Sequence, residues 1–379
     1  MNDPPQDRSQ PLAPHRPLTF ELFAFRFRFR AMESLYLPPG KAGNVIRGTL
    51  GRIFRKFVCA PGCPGARTCG QRSVCAYARL FEPTAIAEGP SGLADWPRPF
   101  VIRAAHLDGR RFRPQEQFHF DLNVFEMRDP ALAYFAFSFS QLMREGLGPG
   151  RPGAELIAIH QFESTGQAGA QGMDDDAEPR LGAQIFDGHI LSDPQPLILA
   201  LNILSLDALS LSASSNKSLN HTQPAPSPAD PVPQPSAHTD TRTSVAATGQ
   251  RIRVRFLTPT ELKAEGRVVR EPEFGVLFAR VRDRLHTLRS LYGEGPLPLD
   301  FSAAGERARA VKLIGSDLRW EMSERRSGRT GQTHPLGGFT GWAEYEGELA
   351  EFVPYLRAAT WTGVGRQTTW GKGHIEVQR

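Results

Sequence analysis

Apolar and charged residues alternate strictly near the start of the chain. In residues 19–32, TFELFAFRFRFRAM, Phe25, Phe27 and Phe29 fall on one side of an extended segment and Arg26, Arg28 and Arg30 on the other. Period two predicts a strand with an aromatic face and a cationic face. After the turn LPPGK, Val45, Ile46, Leu50, Ile53, Phe54 and Phe57 recur at helical spacing. Arg47, Arg52, Arg55 and Lys56 lie mainly on the other side, so the helix is amphipathic with a basic outer face. Two strand-like runs follow, PFVIRAAHL and EQFHFDLNVFE. Asp129 and Pro130 supply an N-cap and a first-turn residue for a helix in ALAYFAFSFSQLMREG, and AELIAIHQF closes the set as a strand. Strand, helix, strand, strand, helix, strand over residues 17–165 is the ferredoxin-like order.

The order recurs after residue 250. RIRVRFL sets Arg251, Arg253 and Arg255 against Ile252, Val254 and Phe256, a second strand with a cationic face. A helix over 273–292 carries the apolar stripe Phe274, Leu277, Phe278, Val281, Leu285 and Leu288. AVKLIGSDLRWEMS and GFTGWAEYEGEL predict two strands, residues 349–359 a short helix, and residues 374–377 the last strand. The expected fold class is α+β: two tandem ferredoxin-like (βαββαβ) domains, 17–165 and 250–379, with a glycine-rich loop before the final strand. Between them lie a connecting segment, 166–211, and residues 212–249. The latter are dominated by Ser, Ala, Pro, Thr, Asn and Gln, too polar to offset chain entropy by burial, and are expected to be a disordered linker or insertion.

Composition narrows the setting. At 379 residues there is room for two cores, and a formal charge of +5 permits a polyanionic partner. The polar, proline-bearing start is no signal peptide, and the run LILALNILSLDALSL is short and broken by Asn202 and Asp207. A soluble cytoplasmic protein without membrane contact is expected. All four cysteines, Cys59, Cys63, Cys69 and Cys75, fall in one glycine-bearing stretch, with three, five and five residues between them. That cluster is unlike a dispersed disulfide framework and suits a structural zinc ion, which would organise a segment with no core of its own. Reduced thiols packed under a loop, or an iron–sulfur cluster, are the alternatives. A closed four-thiolate site leaves no open position for catalysis.

The loop itself reads TGVGRQTTWGKGHIEV. It is no nucleoside-triphosphate loop: Gly365 and Gly371 are one residue too far apart, and Lys372 is followed by Gly373 instead of Ser or Thr. One reading is a flexible turn. The other is a seat for a nucleic-acid phosphate, made by backbone N–H groups at Gly363, Gly365, Gly371 and Gly373 with Arg366 and Lys372.

Five segments, LPPGKAGNVIRGTLGRIF, the cysteine cluster running into CAYARLFEP, FLTPTELK, GGFTGWAEY and TGVGRQTTWGKG, resemble the RAMP superfamily of CRISPR-associated proteins. Within it they are most similar to the repeat-processing endoribonucleases of the sixth Cas family. The resemblance spans both folded parts and leaves the linker without a counterpart. It implies binding of CRISPR repeat RNA, with other Cas proteins as possible partners. It also implies one cut per repeat without metal, by 2′-hydroxyl attack on the adjacent phosphate, giving a 2′,3′-cyclic phosphate and a 5′-hydroxyl. The rival is a non-catalytic RNA-binding subunit of an interference complex, since superfamily relatives share fold and loop without cleaving.

Under this resemblance Arg26, Arg28, Arg30, Arg52, Arg253, Arg255 and the loop hold the RNA backbone. The family often places its histidine on or near the first helix, and residues 41–57 contain none. Substitutes are Tyr36 and Lys41, which can move a proton, Arg47, which can orient and stabilise, and His374 beside the loop. His334 is comparable to His374. His106, His119, His160 and His286, inside strand or helix patterns, are expected to be structural.

Overall fold

The strand β1, Thr19–Ala31, is committed on both faces. In its second half Phe25, Phe27 and Phe29 are buried among the helices of the first unit, their rings against Phe118, Phe120 and Phe139. Each fully buried phenylalanine contributes roughly 1.5–3 kcal/mol. In its first half the opposite face, Phe20, Leu22 and Ala24, joins the core of the second unit. Even-numbered residues share a face, so the arginine row continues outward from the contact between the units. The computed structural model describes residues 18–85, 96–127, 131–163, 180–201, 250–322, 324–326, 333–335 and 337–378. The 212–249 segment and the Asp129–Pro130 pair lie outside them.

After β1 come α1 (Ala42–Val58), α2 (Ala76–Phe81), β2 (Phe100–Arg103), β3 (Gln117–Val124), α3 (Leu132–Ser140) and β4 (Ala154–Phe162). The strands lie in the order β2-β3-β1-β4 with every neighbour antiparallel. The connecting segment widens this sheet: β5 (Leu181–Phe186) pairs with β4, and β6 (Leu197–Ala200) pairs with residues 19–22 of β1.

The second unit runs β7 (Gln250–Thr260), α4 (Phe274–Tyr292), α5 (Phe301–Ala310), β8 (Lys312–Glu321), β9 (Gly338–Gly347), α6 (Val353–Thr362) and β10 (Ile375–Gln378). Its sheet order, β8-β9-β7-β10, repeats the second-third-first-fourth arrangement of the first, again all antiparallel. This is the ferredoxin-like order. Helix α5 escapes sequence reading because its buried stripe is only Ala304 and Ala308; its start signal is Asp300, whose carboxylate accepts the Ser302 and Ala303 N–H groups at 3.0 Å.

Side chains from both units converge on the C-terminal carbonyls of α6. Arg103 donates to Thr360 O at 2.9 Å and Trp361 O at 3.2 Å, Asn123 to Trp361 O at 2.8 Å, and Arg284 to Thr362 O at 2.9 Å. The negative end of a helix suits buried guanidinium groups. Burial, with Arg284 nearby, still pushes Arg103 down to about 9. These bonds lock the first sheet to the last helix.

Candidate active site at the seam between the units

The glycine loop folds back on its own unit before it reaches the first. A Cβ on Gly373 would fall 2.0 Å from the Val364 carbonyl, and one on Gly365 2.4 Å from the Glu261 carbonyl; both have positive φ, so only glycine serves. Backbone bonds close the fold: Val364 N–H to Gly373 O at 2.9 Å and Arg366 N–H to Glu261 O at 3.1 Å. The loop then touches α1. A Cβ on Gly43 would lie 2.8 Å from the Trp370 carbonyl.

Both cations of the loop have protein acceptors, and for Lys372, which is buried, this corrects the expectation that it lies open to phosphate. Arg366 pairs with Glu261 at 2.8 Å. Lys372 is 4% exposed and donates to the Gly40 carbonyl at 3.2 Å, and burial lowers its pKa. Arg47 is also drawn into the seam, its guanidinium 5.7 Å from the Phe81 ring and 5.5 Å from that of Trp370.

Other candidates face outward. Lys41 immediately precedes α1, is exposed, and makes no side-chain cap. The first N–H of α1, on Ala42, instead donates to Asp108 at 2.8 Å, and burial raises the pKa of that carboxyl. Tyr36 is exposed, with Arg111 5.0 Å over its ring. An open groove along α1 is lined by Asn44, Gly48, Thr49, Arg52 and Gly148. Arg52 pairs with Glu145 at 2.8 Å, and Lys56 pairs with the same carboxylate.

The histidines sort differently from the sequence reading. His374 donates its backbone N–H to Thr258, and burial, then Arg103 and His106, push its ring down to about 2. An imidazole held neutral in this way is a poor proton donor, which weakens His374 as a catalytic residue. His106 gains. It is exposed on a 3-10 turn, Ala105–Leu107, two residues before the Asp108 that caps α1. Its ring stacks on His119 at 4.6 Å, and its Nε2 bonds the His119 carbonyl at 2.9 Å. A carbonyl only accepts, so Nε2 carries the proton and Nδ1 is the basic atom. No spacing in the sequence marks His106; only the turn that joins it to Asp108 brings it to α1. His119 is pushed down to about 4 by burial, then Arg26 and His106, and His160 is lowered by burial, then Arg28 and Arg26. His286 accepts the Leu297 N–H, a structural role. His334 lies on a short strand, Thr333–Pro335, paired with Glu324–Arg326.

Both arginine rows meet carboxylates across the sheet. Arg26 binds Asp121 through two bonds of 2.7 and 2.9 Å, and Arg30 binds Glu155 at 3.0 Å. In the second sheet Arg251, Arg253 and Arg255 pair with Glu346, Glu344 and Glu376. Arg28 meets the neutral Gln117 amide at 3.0 Å. Except for the half-buried Arg26–Asp121 pair, these are exposed pairs worth about 0–1 kcal/mol, so phosphate can displace them. The four cysteines stand on the segment beyond the far end of α1, about 25 Å from Lys41 by the helix rise.

Residues 254–375 match the family model described as CRISPR-associated endoribonuclease Cas6. The C-terminal unit is similar to the Cas6 family. Residues 18–181 match a second family model, described only as an N-terminal domain. No curated protein matches the chain. Among solved structures it is similar to a Cas6 product complex, a protein from Thermus thermophilus, at 16% identity and a TM-score of 0.47, over 94% of this chain and 99% of that one. A partial Cas6-RT-Cas1–Cas2 complex gives 12% and 0.49, over 96% of this chain and 46% of that one. A RAMP protein binding different RNA substrates gives 9% and 0.40, over 94% and 100%. At these scores the structures assign no residue. The Cas6 match supports CRISPR RNA processing by an endoribonuclease, and it takes in the glycine loop, Lys372 and His374. Among the described residues no helix is long and apolar enough to cross a membrane.

Proposed function

We propose that the chain cuts CRISPR precursor RNA within its repeats, in the cytoplasm and without a catalytic metal, by attack of a ribose 2′-hydroxyl on the adjacent phosphate. The observation that carries this reading is the docking of the Cas6-type loop onto the first turn of α1. That contact gathers Lys41, the His106 turn and the groove along α1 at one seam.

In the step, the 2′-oxygen bonds to phosphorus as the bond to the 5′-oxygen breaks. His106 Nδ1 takes the 2′-hydroxyl proton, and the Lys41 ammonium returns one to the leaving 5′-oxygen and faces the negative charge on phosphorus. The products are a 2′,3′-cyclic phosphate and a 5′-hydroxyl. Arg47, Lys372 and His374 position the seam. Tyr36, Arg28 and Arg52 meet the RNA strand, and the matched rows with Arg30, Arg253 and Arg255 exchange carboxylate for phosphate. We read the two βαββαβ units as tandem ferredoxin-like RAMP domains, with repeat RNA as first partner and other Cas proteins as further ones.

One observation favours the rival reading, a subunit that holds CRISPR RNA without cutting it: Lys372, one of the two loop cations, is spent inside the protein. Incubation of end-labelled repeat RNA in excess EDTA decides between them. A single cut, with a cyclic phosphate end and blocked by a 2′-deoxy nucleotide at the cut, supports the nuclease. Tight binding with no cut across several repeats supports the subunit.

A further inference from the structure

The segment between α1 and α2 takes no part in the proposed cleavage, yet it holds every cysteine of the chain. Cys59 closes α1, its N–H on the Arg55 carbonyl at 3.1 Å, and Cys75 opens α2, its carbonyl accepting from Arg79 at 3.1 Å. Between them the backbone makes only short turns: Cys63 N–H to Ala60 O at 3.1 Å, Cys69 N–H to Gly65 O at 3.0 Å, and Cys75 N–H to Arg72 O at 3.4 Å. Ala66 is the one apolar residue of residues 60–74 that is buried, while Val74 is 85% exposed. Such a segment has nothing of its own to hold it in shape.

The thiols converge nonetheless. All four are free and half-exposed. Cys63 stands in the middle, hydrogen-bonded to Cys59 and to Cys69, and Cys75 lies within electrostatic reach of Cys59. A tetrahedral ion with Zn–S bonds of about 2.3 Å sets its sulfurs about 3.8 Å apart. That is close to the separation of two hydrogen-bonded thiols. Soft thiolate donors select zinc or iron–sulfur clusters over hard cations, and no histidine or carboxylate is needed to complete a set of four.

We propose that Cys59, Cys63, Cys69 and Cys75 bind one structural zinc ion. Among the described residues no three ligating side chains already stand in metal-holding geometry, so binding draws Cys69 and Cys75 inward from the turns that carry them. Each thiol gives up its proton to solvent and none changes oxidation state. The ion ties the end of α1 to the start of α2, and α2 carries Phe81, which packs on Phe54 and lies under Arg47. The site thus braces the helix whose other end meets the glycine loop.

The test uses the full chain purified from medium containing zinc, iron and cobalt in turn, with metal content and native and denatured thiol titration measured on each. About one zinc per chain, thiols protected until a mercurial releases the metal, and cobalt bands of a tetrahedral thiolate site are expected. Cys63→Ser, which removes the central ligand, lowers zinc retention at least tenfold; its far-UV circular dichroism separates metal loss from unfolding. A folded chain with four freely titrating thiols and no metal overturns the proposal, as do two disulfides or a brown iron–sulfur chromophore.

Discussion

Lys372 reaches across the whole protein: its ammonium donates to the carbonyl of Gly40, 332 positions earlier in the chain, at 3.2 Å. The bond joins the glycine loop of the second unit to the turn that presents Lys41. Lys372→Ala leaves the Gly40 carbonyl without this donor and is expected to cost about 1–3 kcal/mol, read as a lower urea midpoint. Cleavage falls with it, because Lys41 is no longer held. A variant that keeps wild-type stability and activity removes the seam from the account.

Two helical glycines in α1 give predictions of opposite sign. A Cβ on Gly48 would meet nothing within 4 Å, so Gly48→Ala stabilises by about 0.5–1 kcal/mol through helix propensity. A Cβ on Gly43 would lie 2.8 Å from the Trp370 carbonyl, and Gly43→Ala, for all its gain in propensity, destabilises by about 1–3 kcal/mol as the loop is pushed away. Thermal unfolding of both variants checks the pair.

Much of this was legible beforehand, and the limits have physical causes. Residues 25–30 and 251–256 announced two strands because a half-buried strand alternates, and both stand where the alternation put them. Alternation does not say what the polar face meets, and the Asp121, Glu344, Glu346 and Glu376 partners come from strands distant in sequence. The glycine loop was conspicuous, but Lys372 turns inward because Gly40 offers an acceptor that only the tertiary fold brings near. His106 looked like one more strand histidine; its place beside α1 depends on the Asp108–Ala42 bond.

The arginine rows make a salt-dependent prediction. Arg28, held by a neutral amide, is the readiest to meet phosphate, so Arg28→Ala lowers the slope of log K against log salt for repeat RNA by about 1. Arg26→Ala, which removes a carboxylate-bound cation, changes the slope less. Filter binding over a salt series distinguishes them, and equal slopes for both variants contradict the argument.

Acidity acts on the buried imidazoles. His119 has its pKa depressed to about 4 and His374 to about 2, while both titrate near 6.5 when unfolded. Between pH 6.5 and 4 the unfolded chain binds protons that the folded one refuses, so stability present above pH 6.5 is lost as the pH falls through that window. His119→Gln flattens the acid limb of a urea-midpoint profile; an unchanged limb counts against this source.

The central claim is that His106 moves the proton of the attacking hydroxyl. Its most direct test is single-turnover cleavage of repeat RNA by wild type and His106→Ala in EDTA, with affinity measured on an uncleavable 2′-deoxy substrate. The account predicts a rate about 10²–10⁴ lower with affinity unchanged. A His106→Ala variant that cuts at the wild-type rate contradicts it.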